Sequence, residues 1–300
     1  PGYVLNAKGL WVFGATIVLT QPDGTVHRLN FLNDDAAPGQ GINAAQEGSQ
    51  YVAIGLDDDS VLMLHKQRGI ESAKFYRVTL QGGKAELALQ HLALAPKLGN
   101  GIALVKLADG RVLVAGGRYT ENQAWLYNAR QNKWDATGNM NVGRMYTAIA
   151  ALPDGRAFVA GNSWISAASD SNNVRLGVVY GAELWNPRTG LWTALPSLPL
   201  SFKITAHHAT GPSAAALPDG SLVVGGGMHR HVVLLRAKGK SFAPYWTIAG
   251  STPGHRVSGI VQALGNNEVA VLEGVAPLPN DGGCCRRQTG GDRLEIGRAH

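Results

Sequence analysis

The chain has 300 residues, 45% hydrophobic and 16% charged, with 27 basic against 21 acidic side chains and a net charge of +6. That composition is globular, and its scattered bases, with no run longer than Arg286-Arg287, exclude a nucleic-acid-binding stripe. No apolar run approaches the roughly 20 residues a membrane-spanning helix needs, and 39 glycines forecast many turns and therefore many short strands.

In chain order, the first element is a hairpin over 16–32 that turns at Pro22-Asp23-Gly24. The next unit pairs strands over 51–56 and 60–64 across Asp57-Asp58-Asp59, then strands over 75–80 and 85–90 across Gln81-Gly82-Gly83-Lys84. The aspartate run has no spaced ligand set after it, so it reads as a solvated turn and not a calcium loop. From residue 102 the pattern sharpens. Strands over 102–107 and 111–115 flank Ala108-Asp109-Gly110 and end at Gly116-Gly117. A short strand over 124–128 then leads to Trp134.

The same unit returns around Pro153-Asp154-Gly155, with strands over 146–152 and 156–160, a segment over 182–187 and Trp192. It returns again around Pro218-Asp219-Gly220, ending at Gly225-Gly226-Gly227, with 232–236 leading to Trp246. A last, partial copy spans 257–264 and 268–272. The turn positions recur about every 45 to 65 residues, the range of propeller blades. Each unit is four strands, A to D. A four-stranded sheet with two apolar faces can bury both only by stacking between neighbours, which is the physical case for a propeller. The glycine pairs are expected where φ is positive or a β-carbon would collide. The tryptophans are expected to pack between blades.

Leu152-Pro153-Asp154-Gly155-Arg156, followed by Glu183-Leu184-Trp185-Asn186-Pro187 and Thr189-Gly190-Leu191-Trp192, resembles the bacterial kelch repeat. Met140 and Arg144 ahead of strand A fit it too. The resemblance is strongest over 100–247. It implies an all-β, kelch-type propeller with four nearly complete blades and partial blades at both ends. The domain is read as 1–295, incomplete, with 296–300 a non-native tail, and with the chain opening at Pro1 the true N-terminus is expected upstream. The adjacent Cys284 and Cys285 leave the redox compartment open. A secreted, periplasmic or cell-surface location is preferred to the cytoplasm.

Strand order puts A–B and C–D turns on one face and B–C and D–A connections on the other. The first set reads as uniformly short. The second holds the long connections over 161–177, 195–210, 225–231 and 274–291, where binding residues usually reside. The candidate ligand-binding set there is Arg118, Arg144, Trp164, His207, His208, His229, Arg230, His231, His255 and Arg256. This basic, imidazole-rich rim suits a protein or carbohydrate ligand that is anionic. Arg144 and Arg256 have a competing role as braces for blade carbonyls. His229 and His231 alone make an incomplete metal site.

A binding scaffold is the preferred reading, with no catalytic residue, metal or cofactor assigned. The alternative is a carbohydrate-active or sialic-acid-processing enzyme, for which the arginines would hold a carboxylate. Third is a copper-radical oxidase: Arg144-Met145-Tyr146-Thr147 resembles the segment that supplies a Tyr-His copper pair in galactose oxidases. Here Thr147 stands where that family needs histidine, and no cysteine precedes it for a tyrosine crosslink.

Overall fold

The computed structural model describes residues 10–13, 16–20, 26–30, 50–56, 60–66, 74–81, 86–99, 101–117, 120, 122–161, 181–199, 212–226, 230–252, 260–265, 268–272, 275–276, 286–287 and 291–295. Among them there is no α-helix, and every pairing given for the strands is antiparallel. β1 (Leu10–Phe13), β2 (Thr16–Thr20) and β3 (Val26–Asn30) form a three-stranded sheet. β4 (Gln50–Gly55), β5 (Val61–Lys66), β6 (Lys74–Gln81) and β7 (Glu86–His91) form the first four-stranded meander.

The second meander is β8 (Ile102–Lys106), β9 (Val112–Gly116), β10 (Ala124–Asn128) and β11 (Lys133–Ala136). The third is β12 (Ala148–Ala151), β13 (Ala157–Ala160), β14 (Ala182–Trp185) and β15 (Trp192–Leu195). In the fourth, β16 (Pro212–Ala216), β17 (Leu222–Gly226) and β18 (His231–Leu235) are followed by a hairpin, β19 (Ala237–Lys238) and β20 (Ser241–Phe242). The outer strand β21 (Thr247–Ser251) comes after it. The last sheet joins β22 (Ile260–Gly265) and β23 (Glu268–Leu272) to β26 (Gly291–Glu295), with a small hairpin of β24 (Val275–Ala276) and β25 (Arg286–Arg287) between. These are the four-stranded blades of a kelch-type propeller. The chain divides into two compact units, one built on Pro1–Asn100 and one on Ala136–His300, and the sheet of β8 to β11 contributes residues to each.

Period-two alternation explains the blades. In β17, Leu222 and Val224 enter one core cluster with Phe158, Leu184 and Trp246 of the larger unit. Val223, between them, enters another with Val261, Val269 and Val271. In β18, Val233 and Leu235 take the first side and Val232 and Leu234 the second. The sheet of β16 to β21 is thereby covered on both faces, which is why its middle strands read as unbroken apolar runs. In the other unit, Trp134 packs on Phe75 and Tyr127, with ring centroids 4.7 and 4.8 Å apart.

The glycine expectation holds. Gly116, Gly117 and Gly226 have φ of 77°, 104° and 78°. A β-carbon on Gly225 would lie 3.0 Å from Val261 Cγ2. The repeated tryptophans also join blades: the Trp192 indole donates to the Gly138 carbonyl at 2.8 Å, and the Trp246 indole to that of Pro196 at 2.8 Å.

Four sequence expectations are corrected. The leading hairpin has a third strand, β1. The trailing sheet does not stop at strand B, since β26 pairs with β23 from Glu268↔Glu295 to Leu272↔Gly291. The C–D connection between β18 and β21 is not short: it carries the β19–β20 hairpin, whose Lys240 carbonyl accepts from Arg156 Nη1 at 3.0 Å and whose Phe242 ring lies 5.4 Å from the Arg156 guanidinium carbon. Strand A of the third meander begins at Ala148, later than the expected 146, because residues 144–147 are occupied by other bonds.

Candidate functional site

The site is built on the lead-in to β12. Two residues ahead of Tyr146, Arg144 is fully buried, 0% exposed. Its Nε and Nη2 donate to Glu183 Oε1 at 3.3 and 3.0 Å. Its Nη1 donates to the carbonyls of Gly161 and Gly181 at 2.9 and 3.0 Å, which lie at the end of β13 and the start of β14. Of the two roles open to Arg144 in the sequence, this geometry is the bracing one, and the braced carbonyls belong to its own blade. Burial pulls the guanidinium below its ordinary range and the Glu183 carboxylate pushes back; an arginine remains charged under that balance.

Glu183 lies on β14, facing Val159 and Ala194 in the ladder, and is 2% exposed. Its Oε2 accepts from the Asn141 amide and side chain at 2.7 and 2.8 Å, and its Oε1 also accepts from the Val142 amide at 3.2 Å. Two charges in a dry interior are tolerable only when their hydrogen-bonding groups are satisfied this fully.

Tyr146 is the anomaly. Its φ is 51°, a left-handed conformation that is an outlier for a bulky side chain. Its amide donates to the Gly101 carbonyl at 2.6 Å. A β-carbon on Gly101 would meet the Tyr146 ring 3.1 Å from both Cδ2 and Cε2, so the ring edge lies against that glycine. Next in the chain, Thr147 is buried and donates from Oγ1 to the Ala160 carbonyl at 2.7 Å. The position where a copper-binding histidine was sought is spent on the backbone ladder.

The repeat contains a signal for Tyr146 that the reading of single motifs misses. Gly101, Tyr146 and Gly211 stand at one offset before the turn aspartates Asp109, Asp154 and Asp219. Gly101 has φ of 80°. Two repeats thus place glycine here and a third places tyrosine, whereas the first meander places Gln50, at the start of β4, and the last copy Ser258. Glu183 had no such signal: only the fold brings it to Arg144.

Of the other proposed ligand residues, the structure describes Arg230 and His231 at the entrance to β18. Arg230 is exposed, and its carbonyl accepts from the Thr252 amide at 2.7 Å. His231 Nδ1 pairs with the Ser251 hydroxyl at 2.7 Å. Arg118, Trp164, His207, His208, His229, His255 and Arg256 lie outside the described residues. Among the described residues, no three His, Cys, Asp or Glu side chains stand together as a metal-holding group, and no helix is long and apolar enough to cross a membrane.

No family model matches the chain. A 98-residue stretch is 29% identical to galactose oxidase of Gibberella zeae, covering 33% of this chain and 13% of that protein. The fold is shared with a fungal alcohol oxidase of the AA5 family, solved in complex with copper, at a TM-score of 0.57 and 16% identity over 83% of this chain and 54% of that one. The chain is therefore similar to galactose oxidase over one stretch and shares its fold with the alcohol oxidase, and it matches about half or less of the length of these relatives.

Proposed function

We propose that the chain is the propeller of an oxidase acting on a hydroxyl of a sugar or other alcohol, with the Tyr146 phenol at the reacting end of the ligand. The observation carrying this is a tyrosine held left-handed, with φ of 51°, at a position where two sister repeats use glycine. Strain of that kind persists where the surroundings over-determine it and function rewards it. The similarity to galactose oxidase supports the substrate class. It also moves the balance from a pure binding scaffold toward an enzyme.

The copper of the alcohol-oxidase neighbour does not fit the described residues by themselves. Tyr146 offers one phenol oxygen, and no three further metal-binding side chains gather among those residues. What this chain's residues do is position a phenol able to accept or donate a hydrogen bond to a substrate hydroxyl. The strand lead-in on which it rides cannot relax.

The long-loop set of Arg118, Arg144, Trp164, His207, His208, His229, Arg230, His231, His255 and Arg256 is carried within this proposal as the surround of the ligand, with Arg144 acting from beneath. Residues 1–295 are assigned to one propeller and 296–300 to a non-native tail. Recognition of an anionic ligand without turnover is the second reading, favoured by exposed Arg230 beside His231.

The test is dioxygen-dependent hydrogen peroxide release from galactose and from primary alcohols, measured with and without added copper. Tyr146→Phe keeps the ring and removes only the hydroxyl. Turnover should fall by about 100-fold or more in this variant, the scale for losing a preorganised group at the reacting atom. Full activity in Tyr146→Phe would refute the assignment.

A further inference from the structure

We propose that the buried Arg144–Glu183 pair is a positioning device, holding the Tyr146 backbone in its left-handed conformation and thereby setting where the phenol is presented. The geometric part stands on its own; its effect on turnover rests on the reading of Tyr146 given above.

The case is one of chain slack. Residues 141–147 are tied at almost every step. The Asn141 and Val142 amides donate to Glu183. The Arg144 side chain is tied to Glu183, Gly161 and Gly181, and its carbonyl accepts the Gly117 amide at 2.9 Å. Thr147 is tied to the Ala160 carbonyl. Only Met145 and Tyr146 lie between the two anchors. Met145 is buried, at 5% exposure, and the Tyr146 amide is already committed to Gly101. With both ends fixed and the middle amide aimed at Gly101, the backbone can bridge the span by a left-handed residue. An over-determined surround of this kind is what allows a non-glycine outlier to persist.

The pair suits that role better than it suits general stabilisation. A buried ion pair contributes little over an apolar replacement of the same shape, whereas its directional bonds fix one arrangement among several. Arg144 also ties the two carbonyls that bracket residues 162–180, so one side chain sets the end of β13, the start of β14 and the entry to β12 together. A lysine could keep the charge, but its single ammonium cannot make the same fork.

The test uses the full chain and variants Arg144→Met, Arg144→Lys and Glu183→Gln. Val223→Ala is the control, trimming the core in another blade. Tyrosine acetylation by N-acetylimidazole is followed by peptide mass spectrometry, with exposed Tyr245 as the internal reference. In Arg144→Met and Glu183→Gln, the acetylation rate of Tyr146 relative to Tyr245 should rise by roughly tenfold, because the half-buried phenol opens to reagent more often once its lead-in loses an anchor. Arg144→Lys should lie between them and the parent. Val223→Ala should leave the ratio at the parent value.

If Arg144→Met does not fold, Arg144→Lys and Glu183→Gln decide the matter. An unchanged ratio in the folded variants, or an equal rise in Val223→Ala, overturns the proposal. Where the parent oxidises an alcohol, Arg144→Lys should lower kcat with little change in KM. Where the parent oxidises none, the functional reading falls, and the acetylation ratios still decide whether the pair positions Tyr146.

Discussion

Gly138→Ala probes the joint between successive blades. Gly138 follows β11, and its amide donates to the Gly190 carbonyl at 3.0 Å. A β-carbon on Gly138 would stand 2.3 Å from that oxygen and 3.2 Å from its carbon. The obstacle is backbone, so no rotamer change relieves it, and the turn carrying Gly190 must move away. The Gly138 amide bond goes with it, as does the Thr137 hydroxyl bond to the same carbonyl at 3.3 Å. Thr137 in turn accepts the Trp185 indole at 3.0 Å. Overpacking costs about 1–3 kcal/mol, and two weakened hydrogen bonds cost about 1 kcal/mol each. The expected loss is about 3–5 kcal/mol on those two scales.

Gly155→Ala is the comparison. There φ is 87° and the nearest atom to the new carbon is Pro187 Cγ at 3.8 Å, so only the left-handed penalty of about 1–2 kcal/mol applies. At roughly 2 °C per kcal/mol for a chain of this size, thermal scanning should place Gly138→Ala about 6–10 °C below the parent and Gly155→Ala about 2–4 °C below. Equal melting of the two variants would refute the reasoning that this carbonyl contact locks the blades.

Three further outcomes are expected. Gly225→Ala should cost about 1–3 kcal/mol, because the new carbon lies 3.0 Å from Val261 Cγ2 and 3.3 Å from Val232 Cγ2; in a double-mutant cycle, Val261→Ala should recover part of that loss. His65 is 4% exposed, and burial, followed by the charge of Lys74, lowers its pKa from 6.5 to about 4. The unfolded chain therefore takes this proton first, so the stability contributed by neutral His65 is complete above pH 6.5 and drains away as pH falls toward 4. The ceiling is about 3 kcal/mol at 1.36 kcal/mol per pH unit, and His65→Gln should flatten that part of a denaturation-against-pH profile. Tyr146→Gly should raise the melting temperature while abolishing alcohol oxidation, since glycine adopts φ of 51° without strain; a destabilised Tyr146→Gly would mean that ring packing outweighs the backbone term.

The parts of the fold legible in the sequence are those whose chemistry is local. Asp-Gly turns at Gly110, Gly155 and Gly220, all with φ above 80°, mark where strand A meets strand B. Unbroken apolar runs such as Leu222-Val223-Val224 mark the middle strands, because both of their faces are covered. The β19–β20 hairpin was not legible, since Ala237 to Phe242 is mostly polar and reads as turn; its pairing is completed by contacts with Arg156, far away in sequence. β26 was missed for a similar reason. Gly-Asp-Arg-Leu-Glu has little strand propensity, and the partner edge offered by β23 decides its state.

The same division runs through the site. The sequence left Arg144 with two roles, a ligand-binding cation on the loop face or a brace for blade carbonyls, because charge and position before strand A were all it could show. Its partner Glu183 lies 39 residues away, on a strand whose neighbours are all apolar. A buried carboxylate there is intelligible only once the Asn141 and Val142 amides and the Arg144 guanidinium arrive to satisfy it. Tyr146 differs. The comparison of repeats gives only a partial sign of it, because two sister copies place glycine there while Gln50 and Ser258 stand at the same offset in the others. A bulky side chain at such a position incurs strain that packing alone does not require, since glycine would satisfy the backbone equally well. Selection for the side chain itself is the simplest physical account of its presence, which is why the phenol of Tyr146, and not the basic side chains of the long-loop set, anchors the functional reading.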